Sequence, residues 1–232
     1  MLSKSKGNMY SWVTHTHSHL AGGCSHQCVY CYVQVSEKRY LSGLYSGPSR
    51  LREKEFLVNY GEGKTIFIEH MNDLFAKDIP DEWIERILGH TKQFPKNTYV
   101  FQTKNPGRFY VMLGLFPPSA IFGTTIESNR IYPGLSEATI PVDRVGGMKY
   151  LPKHLRKFVT IEPVLDFDVE TMAEWIAEIN PEFLNLGADS KGFGLPEPTV
   201  GKIIQLTARL KDYGIELREK HNLQRLIKRG DA

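Results

Sequence analysis

Cysteines are scarce in this sequence, and long apolar segments are lacking. Only three of the 232 residues are cysteine, and they stand close together at positions 24, 28 and 31. No run reaches the ~18 consecutive apolar residues of a membrane span, and the N-terminal residues are polar and lysine-bearing. We therefore expect a cytoplasmic protein that does not cross a membrane. An odd number of clustered cysteines in such a protein favours metal or cluster binding over disulfide bonds.

Nucleotide-phosphate motifs and a strong charge of either sign are lacking as well. The chain has neither a G-x-G-x-x-G motif nor a P-loop, which argues against enzymes that bind nucleotide phosphates through those motifs. Its net charge of +3 permits contact with nucleic acid without requiring it. Basic residues are dense from Arg218 onward. We interpret residues 221–232 as a basic C-terminal tail, either solvated or in contact with phosphate groups, and favour the solvated form.

Short β-rich runs alternate with helical runs along most of the chain. The predicted strands are residues 11–16, 65–69, 98–102, 120–126, 158–161, 183–186 and 215–217. The predicted helices are residues 80–91, 106–113, 168–179 and 198–213, with a weaker pattern over 135–150. This alternation is typical of βαβ crossovers and a parallel sheet, whose chemistry gathers at the carboxyl ends of the strands. The pattern does not distinguish a doubly wound sheet from a partial barrel. We expect a single domain over residues 1–232, with the core of the domain at about 10–220.

The three cysteines form a C-x3-C-x2-C motif after the first predicted strand, with Cys24, Cys28 and Cys31 behind a Gly-Gly pair. A [4Fe–4S] cluster ordinarily takes four cysteines. With three, one iron would keep an open position for the amino and carboxylate groups of a small molecule. The alternative is a zinc site completed by a histidine, since His15, His17, His19 and His26 are close in sequence. We favour the cluster, because structural zinc usually draws a second paired knuckle and none is visible.

The cysteine motif, with the aromatic Tyr30 just before its third cysteine, resembles the signature of the radical S-adenosylmethionine (SAM) superfamily. The resemblance implies an α/β fold, a partial TIM-type (β/α)6 barrel. It also implies a [4Fe–4S] cluster on the three cysteines and S-adenosyl-L-methionine as the second cofactor. The implied reaction is reductive cleavage of SAM to methionine and a 5′-deoxyadenosyl radical that abstracts hydrogen from a substrate. The electron donor would be flavodoxin or ferredoxin. Spore photoproduct lyases are similar over the cysteine loop.

A wider resemblance, from about residue 11 to 223, is to an uncharacterised bacteriophage-associated family of compact radical SAM proteins. It is carried by the segments 12–16 (WVTHT), 68–75 (IEHMNDLF), 102–106 (QTKNP), 123–127 (GTTIE) and 160–165 (TIEPVL). The usual Gly-Gly-Glu after the second strand is absent. The implied contacts to SAM are as follows: Tyr30 near the adenine, Glu69, His70 or Asn72 on the amino group, Thr125 and Glu127 on the ribose, and Gly187 beneath the adenine.

His15, Lys104 and Glu162 are the candidate catalytic residues. His15, His17 and His19 alternate with polar residues, so a persisting strand would place all three on one face, the lumen of a barrel. We favour the interpretation that only His15 belongs to the strand, as a substrate-pocket residue. Lys104 follows a predicted strand and would contact the SAM carboxylate or a substrate phosphate.

Other interpretations remain open for the carboxylates and for the function. Glu127 or Glu162 could instead form a structural ion pair with Lys104 or Arg144, and Asp73 could cap the turn that follows it. The substrate is unidentified, and we favour a nucleobase or nucleic acid as its class. We expect the protein to be a monomer. The alternative functions are a zinc-stabilised, non-catalytic nucleic-acid-binding protein and an enzyme that cleaves SAM without a second substrate.

Overall fold

The computed structural model describes residues 2–229, so the last three residues of the predicted basic tail lie outside the described residues. Its strands are β1 (Ser3–Lys4), β2 (His15–His17), β3 (Leu20–Ala21), β4 (Arg50–Leu51), β5 (Thr65–Ile68), β6 (Thr98–Thr103), β7 (Ala120–Thr125), β8 (Arg156–Ile161), β9 (Phe183–Leu186) and β10 (Glu216–Glu219). Its α-helices are α1 (Tyr32–Ser36), α2 (Asp81–Lys92), α3 (Gly107–Val111), α4 (Pro141–Lys149), α5 (Val169–Ile179), α6 (Val200–Asp212) and α7 (Gln224–Arg229).

One mainly parallel sheet organises the chain. Its strand order is β1-β2-β5-β6-β7-β8-β9-β10, and only β1 pairs antiparallel with its neighbour. Helices α2 to α6 connect successive parallel strands, which confirms the predicted βαβ pattern. A separate antiparallel pair, β3 with β4, lies beside the sheet. No helix within residues 2–229 is long and apolar enough to cross a membrane.

The larger hydrophobic core lies between the sheet and the helices. On the sheet side it contains Ile66, Ile68 and Phe101, and on the helix side Ile87 and Met172, all buried. The helices supply these contacts because their apolar residues recur at helical spacing along one face. Neighbouring strands therefore stay in register, and their carboxyl ends meet at one edge.

A smaller core fills the opposite face of the sheet, and the N-terminal segment closes it. Phe67, Phe158 and Phe183 line this face, and Tyr10 and Trp12 pack on them. The Trp12 ring lies 5.1 Å from the Phe183 ring and 5.4 Å from the Phe158 ring, centroid to centroid. The predicted strand 11–16 therefore begins only at His15, because the residues before it turn to place these rings on the sheet.

The remaining boundaries differ from the predicted ones at segment ends. The weak helix over 135–150 is confined to Pro141–Lys149, with the proline in its first turn. The predicted helix 106–113 ends at Val111 and continues as a 3-10 turn. The last strand extends to Glu219 instead of ending at residue 217.

The histidine run corrects the prediction in two respects. His17 belongs to β2 together with His15, whereas His19 lies outside the strand. His17 pairs with Ile68, whose side chain belongs to the core beneath the helices. His17 and His19 therefore face the helix layer, where their rings contact each other at 4.5 Å, and not the lumen. The cause is the strand register, which the sequence alternation leaves undetermined.

Three basic residues near the C-terminus, Arg218, Lys220 and Arg225, are paired with other side chains. The Arg218 guanidinium lies 3.5 Å from the Phe183 ring centroid and bonds to Glu216. Lys220 and Arg225 form ion pairs with acidic residues of the sheet edge and of the loop after β9. Much of the positive charge of this segment is thus neutralised inside the protein.

Candidate functional site

The three cysteines lie in the loop between β3 and α1, close to the carboxyl ends of the parallel strands. The loop turns back on itself through two backbone hydrogen bonds, from Gln27 N to Cys24 O (3.3 Å) and from Cys31 N to Cys28 O (3.0 Å). Gly22 opens the loop with φ of 92°. A Cβ atom on Gly22 would lie 2.2 Å from the carbonyl oxygen of Pro48, so only glycine fits there.

All three thiols are free; Cys28 is buried, and Cys24 and Cys31 are half-buried. Burial raises the pKa of the Cys24 thiol to about 12, and the charge of Asp73 and the neighbouring thiols add to this effect. The Cys28 Sγ atom lies 3.1 Å from Ser136 Oγ and 3.2 Å from Lys104 Nζ. Within residues 2–229, no three histidine, cysteine or carboxylate side chains are arranged around one metal position. The thiols would therefore have to turn towards a common centre and lose their protons when a cluster binds.

Asp73 fastens the cysteine loop to the sheet edge. Its Oδ2 atom lies 2.8 Å from Nε2 of His26, a residue of the loop, and accepts the backbone N–H of Lys104 at 2.9 Å. Its Oδ1 atom accepts the Thr103 hydroxyl at 2.7 Å and the Phe75 N–H at 2.9 Å, so Asp73 also caps its own turn. Burial would raise the pKa of Asp73, but the hydrogen bond and charge of His26, with the other donors, lower the pKa overall.

Glu69 makes a second tether, from the end of β5 to the strand leading into the loop. Its Oε1 atom accepts the His19 N–H at 2.5 Å and lies 3.0 Å from His19 Nδ1, and its Oε2 atom accepts the Leu20 N–H at 3.2 Å. His19 Nε2 lies 3.1 Å from the Tyr60 hydroxyl and 2.9 Å from His90 Nδ1. Glu69 has the uncommon φ of 60°, held by these bonds. Its carboxylate is buried, and both of its oxygens accept hydrogen bonds from the segment that leads into the loop.

A buried charge network stands beside Cys28. Lys104 Nζ lies 2.7 Å from both Glu127 Oε1 and the Tyr30 hydroxyl, and Tyr30 donates to Glu127 at 2.6 Å. Arg144 donates to Glu127 Oε2 at 2.6 Å and to the Thr125 carbonyl at 2.9 Å. The ion pair that the alternative interpretation offered for Glu127 is therefore present, with both Lys104 and Arg144.

The pKa values in this network follow from burial and opposite charge. Burial acts to raise the pKa of Glu127, but Lys104 and Arg144 lower it to about 2. Burial acts to lower the pKa of Lys104, but Glu127 and Tyr30 raise it well above its usual value. Burial and the Glu127 charge raise the pKa of Tyr30. At neutral pH the network thus holds two cations on one carboxylate. A cavity of about 60 Å³ borders Tyr30, Glu127 and Arg144.

A second polar cluster occupies the carboxyl ends of β8, β9 and β10. Glu162 pairs with Lys220 at 2.7 Å and accepts the Asn222 side-chain amide at 2.7 Å. Gly187 lies beneath these groups, because a Cβ atom there would come within 2.9 Å of both Asn222 Oδ1 and Glu162 Oε1. Glu162 therefore pairs with Lys220, and not with Lys104 or Arg144 as the alternative interpretation suggested.

The candidate residues thus fall into separate places. The structure brings Cys28, Tyr30, Lys104 and Glu127 together, with Thr125 at the same strand edge. Asn72 donates its side-chain amide to the carbonyl of Gly22 at the mouth of the cysteine loop (3.0 Å).

His15 is not brought to this edge. It is the first residue of β2, and its Nδ1 atom lies 2.9 Å from the Thr14 hydroxyl. Burial lowers the pKa of His15, and the charges of Lys64 and Lys4 lower it further.

Several residues that contact the candidate site residues are not predicted by the sequence. Among them, the sequence presents His26 only as a possible zinc ligand, and Lys220, Asn8 and Asn222 are not among its predicted site residues. The spacing of His26 within the cysteine motif was the one available signal. The two asparagines stand at opposite ends of the chain, and no local pattern connects them.

Comparison with known proteins identifies the family of this chain. The family model described as "Protein of unknown function (DUF5131)" matches residues 8–177, so the chain belongs to the DUF5131 family. No curated protein matches the chain. The resemblance to a bacteriophage-associated family remains a prediction.

Solved structures share the fold. A spore photoproduct lyase mutant with bound AdoMet and dinucleoside spore photoproduct is 12% identical, with a TM-score of 0.58 over 88% of this chain and 63% of that chain. A second lyase mutant is 11% identical, with a TM-score of 0.61 over 94% and 80%. A radical SAM methyltransferase from Sphaerobacter thermophilus is 16% identical, with a TM-score of 0.55 over 93% and 69%. The fold is thus the partial TIM-type barrel of radical SAM enzymes, and the chain spans about 63% of the first lyase chain.

Proposed function

We propose that this member of the DUF5131 family is a radical SAM enzyme whose [4Fe–4S] cluster is held by Cys24, Cys28 and Cys31. The observation that carries the proposal is the position of the cysteine loop. The only three cysteines of the chain are free thiols in one loop. Two buried carboxylates hold this region at the sheet edge: Asp73 bonds to the loop, and Glu69 bonds to the segment that leads into it. The likeness to radical SAM folds supports the same conclusion.

The donor chemistry fits a cluster better than zinc. Soft thiolates are the usual ligands of iron–sulfur clusters, and three of them leave one iron open for SAM. The histidines that could complete a zinc site are engaged elsewhere: His19 with Glu69, and His26 with Asp73 through Nε2. His17 packs on His19 beneath the helices. We therefore set the zinc-binding alternative second.

The protein's own residues would bind SAM and keep it in place. When bound, the cluster would supply the electron, taken from flavodoxin or ferredoxin, for reductive cleavage of SAM to methionine and a 5′-deoxyadenosyl radical. Lys104 would bind the SAM carboxylate, since its ammonium already stands 3.2 Å from Cys28 Sγ. Asn72 and His70 would receive the amino group, and Tyr30, Thr125 and Glu127 would line the nucleoside. Gly187, which the resemblance implies beneath the adenine, lies against Glu162 and Asn222 in the second polar cluster. Glu69 is a positioning residue, because both its oxygens already accept hydrogen bonds.

The substrate would carry a nucleobase. Support comes from the spore photoproduct lyase structure, which contains a dinucleoside, and from the hydrogen-bonding groups of the second polar cluster. Arg218, Lys220 and Arg225 are paired with acidic residues. Since little free positive charge is left there to follow a phosphate backbone, a nucleoside-sized substrate is favoured over a long nucleic acid.

The test is anaerobic reconstitution with iron and sulfide, followed by dithionite and SAM with detection of 5′-deoxyadenosine. We expect a brown protein with about four irons that releases deoxyadenosine, and loss of both properties in Cys28→Ala. The matched control is Val29→Ala, because Val29 lies in the same loop, is exposed and carries no ligand atom. A colourless protein that retains zinc and leaves SAM intact would refute the proposal. Cleavage at a rate that no added nucleoside changes would favour the enzyme without a second substrate.

A further inference from the structure

The ion pair Glu162–Lys220 lies at the carboxyl ends of the strands and has no direct contact with the Lys104–Glu127 network beside Cys28. Its side chains are 17% and 11% exposed, so the pair is largely shielded but reachable. Asn222 fixes it from behind by donating to Glu162 Oε1 and to the Ala188 carbonyl, each at 2.7 Å. Both amide hydrogens of Asn222 are then used. Its Oδ1 atom is buried, and no hydrogen-bond donor reaches it among the described residues.

Asn8 hydrogen-bonds to both members of this pair. Its side-chain amide donates to Glu162 Oε1 at 2.9 Å, and its backbone carbonyl accepts from Lys220 Nζ at 2.6 Å. A molecule that takes the place of Asn8 would therefore need one N–H donor for Glu162 next to one carbonyl acceptor for Lys220. Asn8 is exposed and follows Gly7, which has φ of 65° in a surface turn. A ligand could displace this residue without disturbing the core.

We propose that Glu162 and Lys220 recognise the lactam edge of a nucleobase, an N–H beside a carbonyl, when the substrate displaces Asn8. This inference rests on the proposed function and names the substrate group of the same enzyme. A trans peptide group cannot supply this pattern by itself, because its N–H and C=O point in opposite directions. A phosphate is disfavoured, because the Glu162 carboxylate would repel it. Reading a base by hydrogen bonds along its edge is a common mode for enzymes that act on nucleobases.

Gly187 and Tyr10 shape the surroundings of the pair. Because Gly187 has no Cβ atom, Glu162 Oε1 and Asn222 Oδ1 pack directly against its backbone, where a Cβ atom would meet both at 2.9 Å. The Lys220 ammonium lies 4.8 Å from the centroid of the Tyr10 ring, which holds it over the sheet.

The experiment measures the dissociation constant of uridine for the cluster-loaded protein with SAM and without reductant, by calorimetry or ligand-observed NMR. Uridine presents an N–H between two carbonyls, and 3-methyluridine lacks that donor. We expect 3-methyluridine to bind about tenfold more weakly than uridine. Lys220→Met should weaken uridine binding about tenfold, and Lys220→Arg should restore part of it. Asn8→Ala should tighten uridine binding about fivefold, because the competing side-chain hydrogen bond to Glu162 is gone, although the backbone carbonyl at position 8 can still accept from Lys220.

Matched variants and separate readouts keep the test decisive. Lys149→Met is the control, because Lys149 forms an exposed ion pair with Glu178 at the same 2.7 Å distance. If Lys220→Met fails to fold, Asn8→Ala and the methylated nucleoside decide the question. Undetectable uridine binding, equal binding of both nucleosides, or an unchanged constant in Asn8→Ala would each overturn the inference. Deoxyadenosine formation in the same preparations tests the proposed function independently.

Discussion

The Oδ2 atom of Asp73 lies 2.8 Å from Nε2 of His26, which joins the turn after β5 to the middle of the cysteine loop. Asp73 also accepts from Thr103 and Lys104 at the end of β6. One buried carboxylate thus holds the loop against two neighbouring strands. Because the carboxylate can only accept hydrogen bonds when ionised, His26 must donate from Nε2. The loop is therefore positioned by polar bonds, and its three thiols remain available.

Removing the charge of Asp73 should loosen the cysteine loop. We expect Asp73→Asn to lower the free energy of unfolding by about 2 kcal/mol, because charge-assisted hydrogen bonds are lost at a buried site. Iron retention after reconstitution should fall as well. Urea denaturation of the cluster-free protein and iron analysis check these outcomes. The matched control is Asp78→Asn, an exposed aspartate of the same segment that bonds to Ser49. Equal stability of the two variants would contradict the tethering role.

Acid should destabilise the cluster-free protein partly through Glu127. The pKa of Glu127 is lowered from 4.5 to about 2 in the folded state. A depressed carboxyl pKa contributes stability that is present above the unfolded value and is lost as the pH falls through the folded value. The shift corresponds to about 3 kcal/mol, lost between pH 4.5 and 2. Urea titrations across this range should show a shallower pH dependence in Glu127→Gln than in the exposed control Glu178→Gln. Parallel curves would refute the prediction.

Substitution of Glu69 distinguishes a positioning residue from a SAM ligand. Glu69→Ala removes the acceptors for the His19 and Leu20 N–H groups and should cost about 2–4 kcal/mol of stability. Glu69→Gln keeps one acceptor oxygen and should cost less. We expect the affinity for SAM to stay within about threefold in Glu69→Gln, provided the cluster is loaded. A variant with normal stability but no SAM binding would show instead that Glu69 contacts SAM.

Two glycine substitutions should have opposite effects. Gly22→Ala places a Cβ atom 2.2 Å from a carbonyl oxygen at a backbone φ of 92°. We expect a loss of at least about 2 kcal/mol of stability and poor cluster loading. Gly201→Ala lies on the exposed face of α6, with its nearest atom at 3.9 Å. It should gain about 0.5–1 kcal/mol, because alanine favours the helix. Thermal and urea unfolding measure both, and a destabilising Gly201→Ala would contradict the open environment.

The alternation of strands and helices was predictable from local pattern. Buried parallel strands such as β5 are continuous apolar runs, and helices such as α5 place apolar residues on one face. The local pattern predicts a strand from residue 11, but β2 begins only at His15, because Trp12 packs its ring on the sheet instead of extending the strand. This packing depends on Phe158 and Phe183, which lie far along the chain.

The sequence by itself determined the cysteine motif, its position after an early strand and the parallel α/β class, because spacing and periodicity are local properties. Tertiary structure alone decided which charges meet. Lys104 reaches Glu127 and Cys28, whereas Lys220 returns to Glu162 and Asn8 from the other end of the chain. Such partners are brought together by strand order and register across helical crossovers. A change of one residue in register would turn these side chains to the opposite face of the sheet.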